Sequence, residues 1–204
     1  MSHATEGVEE REVKMAVPDG FVMPELSELA GVTAVDRGDT LLHAVYWDTD
    51  DLGLARSGVG VRHRNGVWTF KGRSRRDGNA VVREELELDG DADRLPPPIS
   101  QRLAEWVVVS HVHPVAELRT VRHTFDVSAA SQSAEVVHDR VSVRDGTEER
   151  ARFREVEVEY ESPSTALTDR IVALLASHGA TVDTTPKYLR ALRLLGHDPP
   201  EVGG

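Results

Sequence analysis

Near the start of the chain the stretch Glu10-Arg11-Glu12-Val13-Lys14 alternates charged side chains with others. Near its end Arg154-Glu155-Val156-Glu157-Val158-Glu159-Tyr160 does so again, with a carboxylate at every second position. Side chains two apart on a strand point to the same face. Read as strands, both stretches therefore carry a stripe of ionised groups backed by an apolar stripe. Like charges in a row repel, so something of opposite sign has to hold them. If the two strands meet inside a closed sheet, a divalent metal ion is the natural holder.

The same parity recurs between these two stretches. Trp68 and Phe70 share one face of a strand while Thr69 and Lys71 share the other. Arg83, Glu85 and Glu87 oppose Val82, Leu86 and Leu88, and Arg62 and Arg64 lie together on one face. Arg122 opposes Val121 and Phe125, and Asp139 shares its parity with Val137 and Glu135. Taken singly, each such strand fits a half-exposed sheet with its charged face in water. Together, roughly six strands carry groups that bind anions or metals, with few of the neutral polar residues that solvated faces use. A sheet closed into a barrel with the charged face inward fits the whole set, because helices can then bury the apolar face outside. Such a lumen offers carboxylates to Mg²⁺ or Mn²⁺, which prefer oxygen ligands, and arginine forks to phosphate oxygens.

A length of 204 residues suits one large domain or two small ones. Zero cysteines exclude disulfides, thiolate metal sites and a cysteine nucleophile, and fit a cytoplasmic protein. No apolar run is long enough for a membrane helix, and the first residues lack a signal-peptide layout. A formal charge of −11 argues against a general nucleic-acid binder, although a local basic cluster can dominate a concave site. None of the nine histidines has zinc-enzyme spacing. His111-Val112-His113 reads as a polar loop element, and no P-loop or nucleophile elbow appears.

Strands are expected over 9–17, 32–36, 40–48, 58–65, 67–72, 80–88, 117–127, 134–138, 140–144 and 151–160. Helices are expected over Pro24–Ala30, Ile99–Val107, Thr165–His178 (with Ser162 or Ser164 near its start) and Tyr188–Leu195. Asn65-Gly66 is a two-residue hairpin turn and Asp145-Gly146 a second turn. Ser128–Ser133 reads as a polar loop at a hairpin tip, and Leu95-Pro96-Pro97-Pro98 as a connector.

These residues resemble the CYTH family, the triphosphate tunnel metalloenzymes. The resemblance rests on Glu10, Glu12 and Lys14 for its E-x-E-x-K strand, and on Tyr46-Trp47-Asp48-Thr49. It continues through Val61-Arg62-His63-Arg64 (valine for the usual leucine), Thr69-Phe70-Lys71-Gly72, Arg83-Glu84-Glu85, Arg122 and Asp139. It ends with Glu155, Glu157 and Glu159, and Lys187. One such element is common by chance; the whole series in order is specific. The texture is nearest to CYTH domains that precede a helical CHAD domain.

The resemblance implies an α+β fold: an eight-stranded antiparallel β tunnel, a closed barrel with a charged lumen and helices packed outside. It implies residues 1–7 as a disordered N-terminus, 8–196 as a single tunnel domain and 197–204 as a flexible tail or linker. The implied activity is divalent-metal-dependent hydrolysis of a triphosphate, inorganic tripolyphosphate first and nucleoside or thiamine triphosphate next. A class IV-type adenylate cyclase and a non-catalytic polyphosphate- or nucleotide-binding module, acting with a CHAD domain or protein, are the alternatives. By resemblance the metal ligands are Glu10, Glu12, Glu85, Asp139, Glu155, Glu157 and Glu159, for one or two Mg²⁺ or Mn²⁺ ions. Lys14, Arg62, Arg64, Lys71, Arg83, Arg122 and Lys187 are the phosphate binders. Glu10, Glu12, Lys14, Glu155 and Glu157 carry the catalytic assignment. Arg11, His63, Glu84 and Arg119 have outward parity and serve as controls. Neither a nucleic acid nor a membrane is an expected partner.

Overall fold

Ten strands form a single sheet in the order β10-β1-β9-β8-β7-β2-β3-β4-β6-β5 in the computed structural model, which describes residues 8–161 and 165–199. The strands are β1 (Val8–Ala16), β2 (Thr33–Asp48), β3 (Gly60–Arg64), β4 (Val67–Lys71), β5 (Arg75–Asp77) and β6 (Ala80–Asp89). They continue with β7 (His113–Ala129), β8 (Gln132–Asp145), β9 (Glu148–Glu159) and β10 (Thr181–Val182). A further antiparallel pairing of β1 with β6 closes eight of them into a barrel, with β5 and β10 as short flaps on the closing strands. The helices are α1 (Gly53–Arg56), α2 (Pro97–Leu103), α3 (Ala166–Ser177) and α4 (Lys187–Leu194).

Strand parity sorts the residues between three cores. Outside β1, β8 and β9, Val13, Met15, Val136, Val156 and Val158 pack under Leu167, Ile171 and Leu175 of α3. Outside β3, β4 and β6, Val61, Trp68, Phe70, Leu86 and Leu88 pack under Ile99 and Leu103 of α2 and Leu54 of α1. The third core lies on the inward parity. There Ala44, Tyr46, Leu118, Val141, Val143 and Phe153 receive Tyr188, Leu189, Ala191 and Leu192 of α4. The last helix thus fills part of one end of the barrel and carries Lys187 at its first position into the lumen.

Local chemistry fixes the connections. Asn65 and Gly66 both have positive φ, 50° and 89°, which matches the two-residue turn expected between β3 and β4. Asp48 is fully buried at the end of β2 and accepts hydrogen bonds from the backbone N–H groups of Thr49 (2.7 Å), Leu54 (2.8 Å) and Ala55 (3.0 Å). It also accepts the Tyr188 hydroxyl proton at 2.5 Å. One carboxylate therefore anchors α1 and pins α4 to the barrel wall.

Several expectations need correction. The helix expected over Pro24–Ala30 is only a 3-10 turn at Leu26–Glu28, flanked by extended Glu25 and Leu29, and Gly31 then leaves it at φ 68°. The segments 32–36 and 40–48 are one strand. A bulge at Arg37 keeps it continuous, with Gly38 at φ 77° and its N–H donated to Asp36 Oδ1 at 2.7 Å. The segments 134–138 and 140–144 are likewise one strand, running straight through Asp139, whose charge is met by cations described below. The loop expected over Ser128–Ser133 shrinks to a turn at Ala130-Ser131, because Ala129 and Gln132 still pair. Gln132 Oε1 there accepts the Leu167 N–H at 2.9 Å and caps α3 from outside. The helix expected over Ile99–Val107 starts at Pro97 and stops at Leu103. The sequence pattern missed β5 and β10. Residues 1–7, Ser162, Ser164 and 200–204, for which disorder, a helix start and a tail were expected, lie outside the described residues.

Replacing Asp48 removes the acceptor for four buried donors. Asp48→Ala is expected to lower the free energy of unfolding by about 3–5 kcal/mol, read by urea denaturation. A loss below about 1 kcal/mol would show that α1 and α4 are held by packing alone.

Candidate metal and anion site in the barrel lumen

The closed strand order sets two opposed walls. In an eight-membered ring β9 lies across from β3, so Glu155, Glu157 and Glu159 face Arg62 and Arg64 over the lumen. Register places Glu12 beside Glu159 and Lys14 beside Glu157 on β1 and β9, and Asp139 beside both Glu155 and Arg122. On the other side Lys71 pairs with Glu85 and Arg62 with Thr69.

A cavity of about 710 Å³ occupies this lumen, lined by Glu12, Lys14, Arg62, Arg64, Lys71, Arg83, Glu85, Arg122, Glu157, Glu159 and Lys187. Eleven of the fourteen residues assigned by resemblance line it. Asp139 and Glu155 are fully buried behind the lining, and the Glu10 side chain lies outside the described ones. Glu10 pairs with Arg83 by register and has the same parity as Glu12. The controls point away. Arg11 bonds Asp77 at 2.8 Å, His63 packs on Trp68 and reaches the Gly90 carbonyl at 3.0 Å, Glu84 bonds Arg102 at 2.8 Å, and Arg119 sits 3.5 Å from Glu117.

Among the described residues two groups of three carboxylates have oxygens within 4.8 Å of one another: Glu12 with Glu157 and Glu159, and Asp139 with Glu155 and Glu157. Only the first group lines the cavity along its whole set. The second is filled by the Lys187 ammonium, 2.5 Å from Asp139, 3.0 Å from Glu155 and 3.7 Å from Glu157. Arg122 donates to Asp139 at 2.9 and 2.8 Å and to Glu157 at 2.8 Å, while Lys14 lies 3.1 Å from Glu157 and 3.7 Å from Glu12. Glu85 is taken up by Lys71 and by Arg83 at 2.8 Å, and belongs to neither group.

The charges are unevenly satisfied. For Glu157, burial favours the neutral acid, but Lys187, Lys14 and Arg122 outweigh it and hold the carboxyl well below the usual range. Asp139 is held low in the same way by Lys187 and Arg122. For Glu155 burial wins over Lys187 and Lys14, and its pKa is raised. Lys187 stands 3.0 Å from Glu155 Oε1 as an ion pair, but both oxygens of Glu155 are buried without a hydrogen-bond donor among the described residues. On the opposite wall burial, Arg62 and Arg122 all lower the pKa of Arg64, which makes no ion pair among the described residues. Arg62 has its nearest carboxylate, Glu87, at 4.0 Å, and its Nε is buried without a partner.

This arrangement suits a hard divalent cation. The donors are carboxylate oxygens, clustered and buried, and two of those oxygens have no donor of their own. It also suits an anion on the opposite wall, where Arg64 makes no ion pair among the described residues and Arg62 only the 4.0 Å contact with Glu87. Arg190, which the sequence reading did not single out, joins the site: its Nη1 lies 3.7 Å from Glu155 and its other nitrogen bonds Asp183. Its spacing of three from Lys187 on one helix was the available signal.

The model of the CYTH domain matches residues 9–187, and the chain belongs to that family. A solved structure of HpAC1 from Hippeastrum, described as a candidate adenylyl cyclase revealing a dominant triphosphatase activity, is similar in fold. It is 18% identical, with a TM-score of 0.63 over 94% of this chain and 98% of that one. A candidate adenylate cyclase of Bacillus halodurans is similar at 18% identity, with a TM-score of 0.64 over 91% and 98%. The uncharacterized protein Rv2226 of Mycobacterium tuberculosis is 32% identical over 120 residues, 56% of this chain. That match covers 23% of the curated relative, so the chain spans a minor part of its length.

The contrast between the two neighbouring glutamates can be measured. A carboxyl held low stabilises the fold above its ordinary pKa and loses that contribution as pH falls through the folded value. One pushed high costs increasingly more as pH rises from its ordinary value through the raised one. In EDTA at pH 8, Glu157→Gln should therefore cost about 3–5 kcal/mol by stranding Lys14 and Arg122. Glu155→Gln should be neutral or stabilising. Equal losses in the two variants would mean that Glu155 is a satisfied ion pair.

Proposed function

We propose that this chain is a divalent-cation-dependent triphosphatase acting in the barrel lumen, with inorganic tripolyphosphate as its substrate. The observation that carries the reading is the pair of opposed walls: clustered carboxylates on β1, β8 and β9, and on β3 the guanidiniums of Arg62, whose one ion pair is a 4.0 Å contact with Glu87, and Arg64, which makes none among the described residues. A site for anions alone has no need of the acidic half. The triphosphatase activity described for the Hippeastrum protein is compatible with it.

Glu12, Glu157 and Glu159 would hold Mg²⁺ or Mn²⁺ at the cavity surface, and Asp139 and Glu155 would support a second ion or keep Lys187 in place. A bound divalent ion would supply positive charge shared between the carboxylates and the phosphate oxygens. The protein's own groups do the rest. Arg62 and Arg64 take phosphate oxygens on one wall, while Lys14, Lys71, Arg83 and Arg122 offset charge along the chain. Lys187, which now neutralises Asp139 and Glu155, would be free to bind the anion if a cation took its place among those carboxylates. Water adds to the phosphorus, the bridging P–O bond breaks, and the bridging oxygen stays with the leaving phosphate, its charge met by the basic residues. The product proton passes to solvent phosphate or water.

The lining also favours an inorganic substrate over a nucleotide. The aromatic side chains of the lining are Tyr46 and Tyr188, which stack on each other at 5.1 Å, so the lining itself offers no free ring to a base.

Tripolyphosphate and ATP, each supplied with saturating Mg²⁺ or Mn²⁺, test the proposal through orthophosphate and cyclic AMP release. Orthophosphate from tripolyphosphate is expected, falling at least about a hundredfold in Glu157→Ala. Full activity in that variant would refute the assignment of Glu157, and cyclic AMP as the main product from ATP would replace hydrolase by cyclase.

A further inference from the structure

The three lumenal acids around Lys187 do not depend on it equally. Asp139 also accepts two hydrogen bonds from Arg122, at 2.9 and 2.8 Å. Glu157 also has Arg122 at 2.8 Å and Lys14 at 3.1 Å. Glu155 has Lys187 at 3.0 Å from Oε1, and its further ion-pair partner among the described residues is Arg190, whose Nη1 stands 3.7 Å from Oε2. If Lys187 moves away, Asp139 and Glu157 each keep a close cation, while Glu155 keeps only the 3.7 Å contact with Arg190. A buried carboxylate stripped of its partner is strongly penalised, so Glu155 governs how easily Lys187 can move.

Arg190 is placed to relieve that penalty. It follows Lys187 by three residues on α4, so the two side chains leave neighbouring points of one helix face. One terminal nitrogen is bonded to Asp183, and the guanidinium carbon lies 5.0 Å from the centre of the Phe153 ring. Asp183 is itself fixed: its N–H donates to the Lys14 carbonyl at 3.0 Å, and its Oδ1 accepts the Thr185 N–H at 2.8 Å. The other terminal nitrogen, Nη1, is the one beside Glu155, and it makes no hydrogen bond among the described residues. A movement of about 1 Å would bring it to hydrogen-bonding distance of Oε2. Lys187 lines the cavity and Arg190 does not, so Arg190 acts on a lumenal anion only through other groups.

We infer that Arg190 is a positioning residue: it closes on the Glu155 carboxylate when Lys187 turns to a bound anion, and so sets how readily Lys187 is released. A mere strut fastening α4 to Asp183 would be indifferent to the charge on Glu155. The inference rests on the proposed function only in placing the anion in the lumen. It concerns binding, and no bond is made or broken in it.

The test is a double-mutant cycle, with tripolyphosphate affinity read by calorimetry in EDTA at pH 8. Arg190→Gln should weaken binding about tenfold, because Lys187 is then the sole ion-pair partner of Glu155 among the described residues. In the Glu155→Gln background, where no such charge holds Lys187, Arg190→Gln should change the affinity by less than about twofold. Arg190→Lys should recover most of the loss. Asp183→Asn, which removes the charge that Arg190 is fastened to, should bind as wild type. If Arg190→Gln does not fold, Asp183→Asn/Arg190→Gln carries the same tenfold expectation. Wild-type affinity in either folded variant, or an equal loss with and without the Glu155 charge, would overturn the inference. So would a wild-type protein that binds no tripolyphosphate in EDTA, since the anion itself must draw Lys187 away. With Mg²⁺ added, the expected binding pattern without orthophosphate release would sink the triphosphatase reading and leave the role of Arg190 standing. Orthophosphate release with affinities indifferent to Arg190 would do the reverse.

Discussion

Everything in this fold turns on keeping buried carboxylates charged. Two unit charges a few ångströms apart in a poorly screened interior interact far more strongly than in water, and an unpaired buried carboxylate costs several kcal/mol. Glu157 meets that requirement with Lys14, Arg122 and Lys187. Asp139 meets it with Arg122 and Lys187. Glu155 does not meet it fully. Because removing one partner strands another, the lumen behaves as one coupled electrostatic unit. Its deficits, a carboxylate without donors on one wall and, on the other, Arg64 without an acid among the described residues, are what a cation and an anion together would fill.

The rest of the architecture serves that unit. Pairing β1 to β6 closes the barrel and brings the first carboxylate strand against the last. The third core draws α4 into one end, and the bond from Tyr188 to Asp48 sets the position from which Lys187 reaches Asp139. The Asp48 anchor lies among the residues that carry the family resemblance and makes no contact with the lumenal acids. Its role is in placement.

Strand parity made most of this readable from sequence, because period-two alternation records which side of a sheet each residue occupies. Glu12, Lys14, Arg62, Arg83, Glu157 and the outward controls were all legible in that way. What parity cannot encode is closeness across the barrel. It did not distinguish Glu85, consumed by Lys71 and Arg83, from Glu12, which joins a carboxylate group facing the cavity. Nor did it separate Glu157, at the cavity surface, from Glu155 behind it. The strand break expected at Asp139 failed for a related reason. A charge in mid-strand looks like an interruption until its partners, one on β7 and one on α4, are known. The bulge at Arg37 and the flaps β5 and β10 are set by tertiary pairing, which local propensity does not record.

The most direct measurement is a crystal structure with Mn²⁺ and tripolyphosphate, using the anomalous signal to locate the metal. The account predicts an anomalous peak among Glu12, Glu157 and Glu159, phosphate oxygens on Arg62 and Arg64, and Lys187 turned from Asp139 toward the anion. Tripolyphosphate bound outside the barrel, or inside it with no metal at those carboxylates and Lys187 unmoved, would contradict it.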